Sequence, residues 1–325
     1  MSRYPLFSRD AIKFKPIAKR HSKLRIDQIA IPVECQAEKI TTAQAWQFLQ
    51  LIDDMEYARK AGTPIVLCMG AHPIKNGCCL LINEMIDRGW ITHVAVNGAA
   101  AIHDWEFATF GKSTECVRTN IEKGEFGIWE ETGKFFGAAA SLASIHGRGW
   151  GETIGHLMSQ NIGFCQSYRF KHYSIALKCY QKEIPFTIHP GIGQDIVYTH
   201  PSVDDNIGCA ITDFLIFTET IRNLNDGVYL SVGSSIMSPM IFEKALSMAR
   251  NVEQQHERDI RMFTIGVNDL QESSWDWTKG EPPMDHPDYY LRFYKTFYRM
   301  GGVQLYIPMD NRLFFKSLWH GIKNR

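Results

Sequence analysis

The chain has 325 residues, of which 45% are apolar and 22% charged, and its 35 basic residues balance 35 acidic ones. Such a composition describes a globular chain with an ample core, enough for one large α/β domain or two modest ones. With no net charge, no field favours nucleic acid or an anionic membrane surface as partner, and no apolar run approaches the length of a membrane span.

Residues 1–39 read as an N-terminal arm. It is locally basic (Arg9, Lys13, Lys15, Lys19, Arg20, Lys23, Arg25) and lacks the apolar centre of a signal peptide, so a solvated arm packing on a neighbour is expected. The eight cysteines contain no C-x-x-C pair and fall mostly in apolar segments, which suits buried thiols in a reducing, cytoplasmic compartment. A helix follows from Ile40 to Gly62, with Thr41 or Thr42 as cap, an apolar face built on Trp46, Leu49 and Ile52, and a closing glycine.

The stretch from Pro64 to Asp104 organises the chain. It reads as a strand over Ile65–Met69, a tight turn over Gly70-Ala71-His72-Pro73 and a helix from about Lys75 to Arg88. Cys78, Leu81, Ile82, Met85 and Ile86 give that helix one apolar stripe, and Gly89 stops it. A second strand (Ile91–Val96) and a second small-residue turn (Asn97-Gly98-Ala99-Ala100) follow. Strand, helix and strand at this length make a parallel right-handed crossover. Ligands bind outside the carboxyl ends of such strands, which makes the Gly70 and Gly98 turns the first candidate site. Neither turn carries G-x-G-x-x-G or a P-loop, so by themselves they fit plain turn chemistry better than ligand binding.

A helical covering segment is expected at about 107–165, with pieces at Ser113–Lys123, Glu130–Ile145 and Thr153–Asn161. A helix over Tyr173–Gln181 then leads to a strand at Ile184–Ile188, which leaves through His189-Pro190-Gly191-Ile192-Gly193-Gln194-Asp195. Another unit has a strand at Val228–Val232, a turn at Gly233-Ser234-Ser235 and a helix capped by Ser238 with Pro239 at its first position. Strands at Met262–Val267 and Val303–Ile307 flank a polar loop and an aromatic helix at about Pro287–Arg299, and Asp310 caps a C-terminal helix. The expected fold is α/β: residues 40–325 as a single domain holding a doubly wound, largely parallel sheet of six or more strands with helices on both faces.

Four segments of this order resemble the deoxyhypusine synthase family. Asn97 to Asp104 (NGAAAIHD) is similar to that family's T-x-G-G-x-x-E-D turn, and Gly191 to His200 (GIGQDIVYTH) to its G-S-L-G-D-M-x-x-x-H segment. Pro287-Asp288 with Lys295 seven residues after the aspartate has the spacing of its P-D segment and catalytic lysine. Tyr306 to Asn311 (YIPMDN) resembles the strand end whose aspartate holds the cofactor. The resemblance implies an NAD-dependent transferase that dehydrogenates a polyamine-like amine and passes the alkylamine through an imine on Lys295. It also implies a homotetramer or homodimer with shared active sites, and a protein lysine as a possible acceptor. His103, Asp195, Asp104, His189 and Phe293 fall at catalytic or substrate positions. The dinucleotide falls to Gly70, Ala71, His72, Asn97, Gly98, Ala99, Gly233, Ser234 and Asp310.

Departures from the family matter as much. His103 stands where the family has a glutamate, Pro239 where it has a histidine, Phe293 where it has a tryptophan, and Pro190 and Tyr289 where it has acids. A spermidine site needs several carboxylates, because two or three buried ammonium groups are costly unpaired. Two alternatives therefore stay open. A metal-dependent hydrolase would gather His72, His103 and His189 at the strand ends. A non-catalytic NAD-binding homologue would keep the fold and lose the reaction.

Overall fold

The computed structural model describes residues 3–163, 169–203, 206–276 and 279–325, without the side chains of residues 206, 292 and 293. Strand β1 (Ile65–Met69) is buried at every position, as a short apolar run covered on both faces must be. It is joined by β2 (His93–Val96), β3 (Phe186–Ile188), β4 (Gly227–Val232), β5 (Phe263–Asn268) and β6 (Val303–Tyr306). The order is β3-β2-β1-β4-β5-β6, a six-stranded sheet in which every neighbouring pair is parallel. The chain winds outward from β1, returns to β4 and winds outward the other way. The doubly wound, parallel architecture expected from the sequence is the one observed, and β1 and β4 meet at its topological switch point.

Among the described residues, ten α-helices of seven residues or more dress the sheet: α1 (Thr42–Ala61), α2 (Cys79–Asp87), α3 (Gly98–Phe110), α4 (Glu130–His146), α5 (Trp150–Ser159), α6 (Ile175–Gln181), α7 (Asn206–Arg222), α8 (Met237–Gln254), α9 (Arg292–Met300) and α10 (Asn311–Ile322). The alternation of β1 sorts them onto two faces. Ile65, Leu67 and Met69 join a core with side chains from α1 to α6 and from α10, whereas Val66 and Cys68 join a second core with Phe217 of α7, Phe242 of α8 and Phe297 of α9.

Local chemistry explains most boundaries. Thr41 and Gln44 form a reciprocal capping box at the start of α1, and Gly62, at φ +72°, closes it. The helix expected from Lys75 begins later, at Cys79, because Gly77 (φ +78°) breaks the chain; a methyl there would lie 2.0 Å from the Ile29 carbonyl oxygen. The Asn97–Ala100 segment is the first turn of α3 rather than an open turn, with Asn97 Oδ1 accepting from the Ala100 amide at 2.9 Å. Ser238 lies inside the first turn of α8, and the group that accepts from its amide is Ser234 Oγ, at 3.2 Å. The sequence reading missed α7 altogether.

The basic arm packs on its own chain. Leu24–Arg25 pairs antiparallel with Lys112–Ser113, and Arg20 is buried against Glu106. Cys35, Cys68, Cys78, Cys79, Cys116 and Cys179 are thiols outside any disulfide. Among the described residues no helix is long and apolar enough to cross a membrane.

Candidate functional site

At the switch point the carboxyl ends of β1 and β4 are held backbone to backbone by two glycines. The Gly70 amide faces the Val232 carbonyl at 3.4 Å, and a methyl on Gly70 would lie 2.5 Å from the Gly233 carbonyl oxygen. Gly233 itself sits at φ +59°, where glycine is at ease. Above this contact the strand exits part around a crevice of about 760 Å³, within the range of small-molecule sites. Its rim carries Gly70, Ala71 and His72 after β1, Asn97 and Ala99 after β2, His189 and Asp195 after β3, and Gly233 and Ser234 after β4. Its apolar wall comes from α7 and α8, with Ile211, Phe214 and Met240. The turn Gly233-Ser234-Ser235 leads through Ile236 into α8, at whose start the Ser238 amide donates to Ser234 Oγ and Pro239 has no N–H.

A smaller hollow of about 230 Å³ adjoins the crevice through His72, Gly233 and Ser235 and reaches Asp310. Asp310 caps α10, accepting from the Arg312 amide at 2.8 Å and from its guanidinium at 2.9 Å, and that guanidinium holds its carboxyl below the usual range. Asn268, at the end of β5, is buried and donates to the carbonyls of Ile307 and Met309 at 3.0 and 2.9 Å, fixing the exit of β6 beside the hollow. Nothing in the sequence reading singled it out.

The fold therefore gathers most of the residues expected at the strand ends, but it spends several of them on structure. Asp195 Oδ2 accepts from the Gly191 amide at 2.8 Å, and its carboxyl lies 3.1 Å from where Gly98 would carry a Cβ. Burial raises its pKa although the Gly191, Ala99 and Gly98 amides oppose the shift. The N-terminus of α3 is thus already faced by a carboxylate, and Gly98 serves its close approach rather than a phosphate's.

Asp104 is a correction of the same kind. It is buried and accepts from Ser174 Oγ at 2.6 Å and from the Ile175 amide at 2.7 Å, closing the N-terminus of α6 in the core and leaving no oxygen for a ligand in the crevice. Burial pushes it up to about 6 despite these donors. His103, one residue earlier on α3, turns to Ser113 Oγ at 2.7 Å, and burial pushes it down to about 4. It is not among the residues lining the crevice.

Lys295 is also elsewhere. Its ammonium lies 3.5 Å from a Glu281 carboxylate oxygen and 3.1 Å above the Tyr289 ring, and it is not among the residues that line either hollow. The Phe293 side chain lies outside the described residues. The histidine cluster does not form: His103 faces the core, His189 bonds Thr187, and among the described residues no three His, Cys, Asp or Glu side chains come together as a metal site. The metal-hydrolase alternative has no ligand set.

No protein-family model and no curated protein matches the chain. Solved structures do. A putative LOR/SDH protein from Methanococcus maripaludis S2 superposes with a TM-score of 0.51 at 15% identity, over 90% of this chain and 74% of that one. ArgZ, an arginine dihydrolase from the ornithine-ammonia cycle in cyanobacteria, superposes with a TM-score of 0.50 at 14% identity over 88% of this chain. This chain spans about a third (34%) of ArgZ's length. What is shared is the fold.

Proposed function

We propose that the crevice binds NAD and that the protein is an NAD-dependent enzyme acting on an amine. The observation that carries this reading is the contact of Gly70 with Gly233, which leaves a floor without side chains at the switch point, where doubly wound sheets take nucleotides. The residues fit the cofactor. Ser234 and Ser235 of the turn would face the pyrophosphate, and the adjoining hollow, with Asp310 and Asn268, offers room for one end of a long ligand. When bound, NAD supplies a hydride acceptor for the carbon that bears the nitrogen.

The chain's own contribution to the substrate is a single charge. Asp195 is the one acidic side chain among the described residues lining the crevice, so it suits one ammonium group and not the two or three of spermidine. ArgZ, an arginine dihydrolase, shares the fold, which puts basic amino acids among the amines worth testing. Transfer through an imine on Lys295 would need that amine at the crevice, and within one chain Glu281 and Tyr289 hold it away. The reading therefore stops at dehydrogenation of an amine.

A thermal-unfolding screen tests it. NAD at about 100 times its dissociation constant should stabilise the fold by roughly 2.7 kcal/mol, and NADH should then appear with a member of a panel of monoamines, ornithine and lysine, whose net charge is at most one, and not with putrescine or spermidine. No shift with millimolar NAD or NADH would remove the proposal. A shift with no NADH from any amine would favour the non-catalytic homologue, a reading supported by the engagement of Asp195 with its own loop.

A further inference from the structure

Two histidines and two threonines form an unbroken file of hydrogen bonds on the α7 face of the sheet. His189 lines the crevice, and its Nε2 lies 2.9 Å from Thr187 Oγ1. The same hydroxyl lies 2.9 Å from His93 Nε2, and His93 Nδ1 lies 2.8 Å from Thr220 Oγ1. Thr220 in turn lines an open pocket of about 460 Å³ at the opposite edge of the sheet, beside Pro64, Thr92, Pro185 and Glu219. His93 opens β2 and His189 follows β3, so the file climbs about four strand levels, roughly 13 Å, from the amino edge to the carboxyl edge.

The bonding pattern is directional. Thr220 donates to the Ile216 carbonyl at 3.3 Å, so its oxygen accepts from His93 Nδ1–H. His93 Nε2 is then the acceptor for the Thr187 hydroxyl, whose oxygen accepts from His189 Nε2–H. His189 Nδ1 is left with a lone pair. Burial, with His189 adding to it, pushes His93 down to about 3, and burial alone does the same to His189, so both rings are neutral near pH 7. Phe217 packs edge-on against both imidazoles, with ring centroids 5.7 and 5.1 Å away, and screens the file from solvent along its length. A buried histidine pair satisfied by threonines is common structural chemistry. A file that begins in one hollow and ends in another on the far edge has a use beyond structure.

We propose that His189, Thr187, His93 and Thr220 form a proton path between the crevice and the pocket at the amino edge of the sheet. A proton from a crevice-bound ligand adds to His189 Nδ1, and the Nε2 proton passes to Thr187 Oγ1. The hydroxyl proton of Thr187 moves to His93 Nε2, the Nδ1 proton of His93 moves to Thr220 Oγ1, and the hydroxyl proton of Thr220, turning from the Ile216 carbonyl toward the pocket, leaves to water beside Glu219. One proton crosses, every group ends neutral, and both imidazoles end in the reversed tautomer. The path's use in turnover rests on the amine-oxidation reading, since an ammonium must lose a proton before its carbon can give up a hydride. The path itself does not.

The test needs no substrate. The full chain, labelled with 15N-histidine, is examined by NMR near neutral pH in water. His189 should carry its proton on Nε2 and His93 on Nδ1. Because the His189 Nε2 proton is bonded into the file, Thr220→Val should slow its exchange with water on the order of a hundredfold, the scale of a lost proton-transfer partner. Thr220→Ser should restore the rate. A His189 protonated on Nδ1, an exchange rate unchanged in Thr220→Val, or a slowing that serine does not relieve would each overturn the proposal. NAD binding is read separately by melting, so failure of either idea is visible without the other.

Discussion

Gly70 and Gly233 touch through their backbones: the position of a Gly70 Cβ lies 2.5 Å from the Gly233 carbonyl oxygen, and both residues line the same crevice. Gly70→Ala must push β1 and β4 apart at their ends, an overpacking expected to cost about 1–3 kcal/mol. It should also abolish any melting shift with NAD. Gly233→Ala, at φ +59°, should cost about 1–2 kcal/mol through backbone strain. Denaturant titration of both variants, with and without NAD, checks this; a Gly70→Ala variant that binds NAD as tightly as the parent would place the cofactor elsewhere.

Arg20 anchors the arm by a buried ion pair. Its guanidinium donates to both oxygens of Glu106 at 2.8 and 2.7 Å, with Thr132 and Ser113 as further donors to that carboxylate. Burial pushes Glu106 up, but Arg20 beside it more than offsets this and leaves it below its ordinary value. Arg20→Leu strands the carboxylate and should cost roughly 3–5 kcal/mol, whereas the double replacement with Glu106→Gln should recover part of the loss. Equilibrium unfolding of the two variants measures the difference. If the single variant costs under about 1 kcal/mol, the arm is not tied down in this way.

Asp213 on α7 predicts a pH dependence. Its Oδ2 accepts from the amides of Gly151 and Ile188 at 3.1 and 3.0 Å, while its buried Oδ1 has no protein partner among the described residues. Burial pushes it up to about 8 against those amides. A carboxyl raised in the folded state keeps a proton that the unfolded chain, titrating near 3.9, gives up. Its favourable contribution is therefore full at acid pH and lost progressively as the pH rises from about 4 to 8. The melting temperature should fall over that range more steeply in the parent than in Asp213→Asn, and parallel curves would show that Asp213 is ionised in the fold.

Lys295 separates dehydrogenation from group transfer. Lys295→Met removes an ion pair to the half-buried Glu281 and a cation–π contact with Tyr289 around a buried ammonium, worth together about 2 kcal/mol. NAD binding and amine-dependent NADH formation should persist. Loss of NADH formation with an intact NAD shift would return Lys295 to the chemistry.

Sequence alone determined the architecture. The apolar run of β1, the mostly apolar run of β4, the stripe on α2, the threonine cap and the stop at Gly62 each depend on neighbours within a few residues, and local sequence encodes them directly. The strand exits at Gly70, Gly233 and Asp195 were legible for the same reason, since a doubly wound sheet places its ligands there. Tertiary structure decided which of those residues remain free. Asp104 looks like a ligand carboxylate in sequence, yet it closes a helix N-terminus in the core, whereas Asp195 lines the crevice while also accepting from the Gly191 amide and facing the start of α3. His93 and Thr187 did carry a local signal, as polar residues inside apolar strands, but their bond joins parallel strands far apart in sequence, and its link to Thr220 runs through α7, which the sequence reading missed. Lys295 kept its spacing in sequence and lost its place in space, because spacing along a helix does not say which carboxylate or aromatic face will lie across from it.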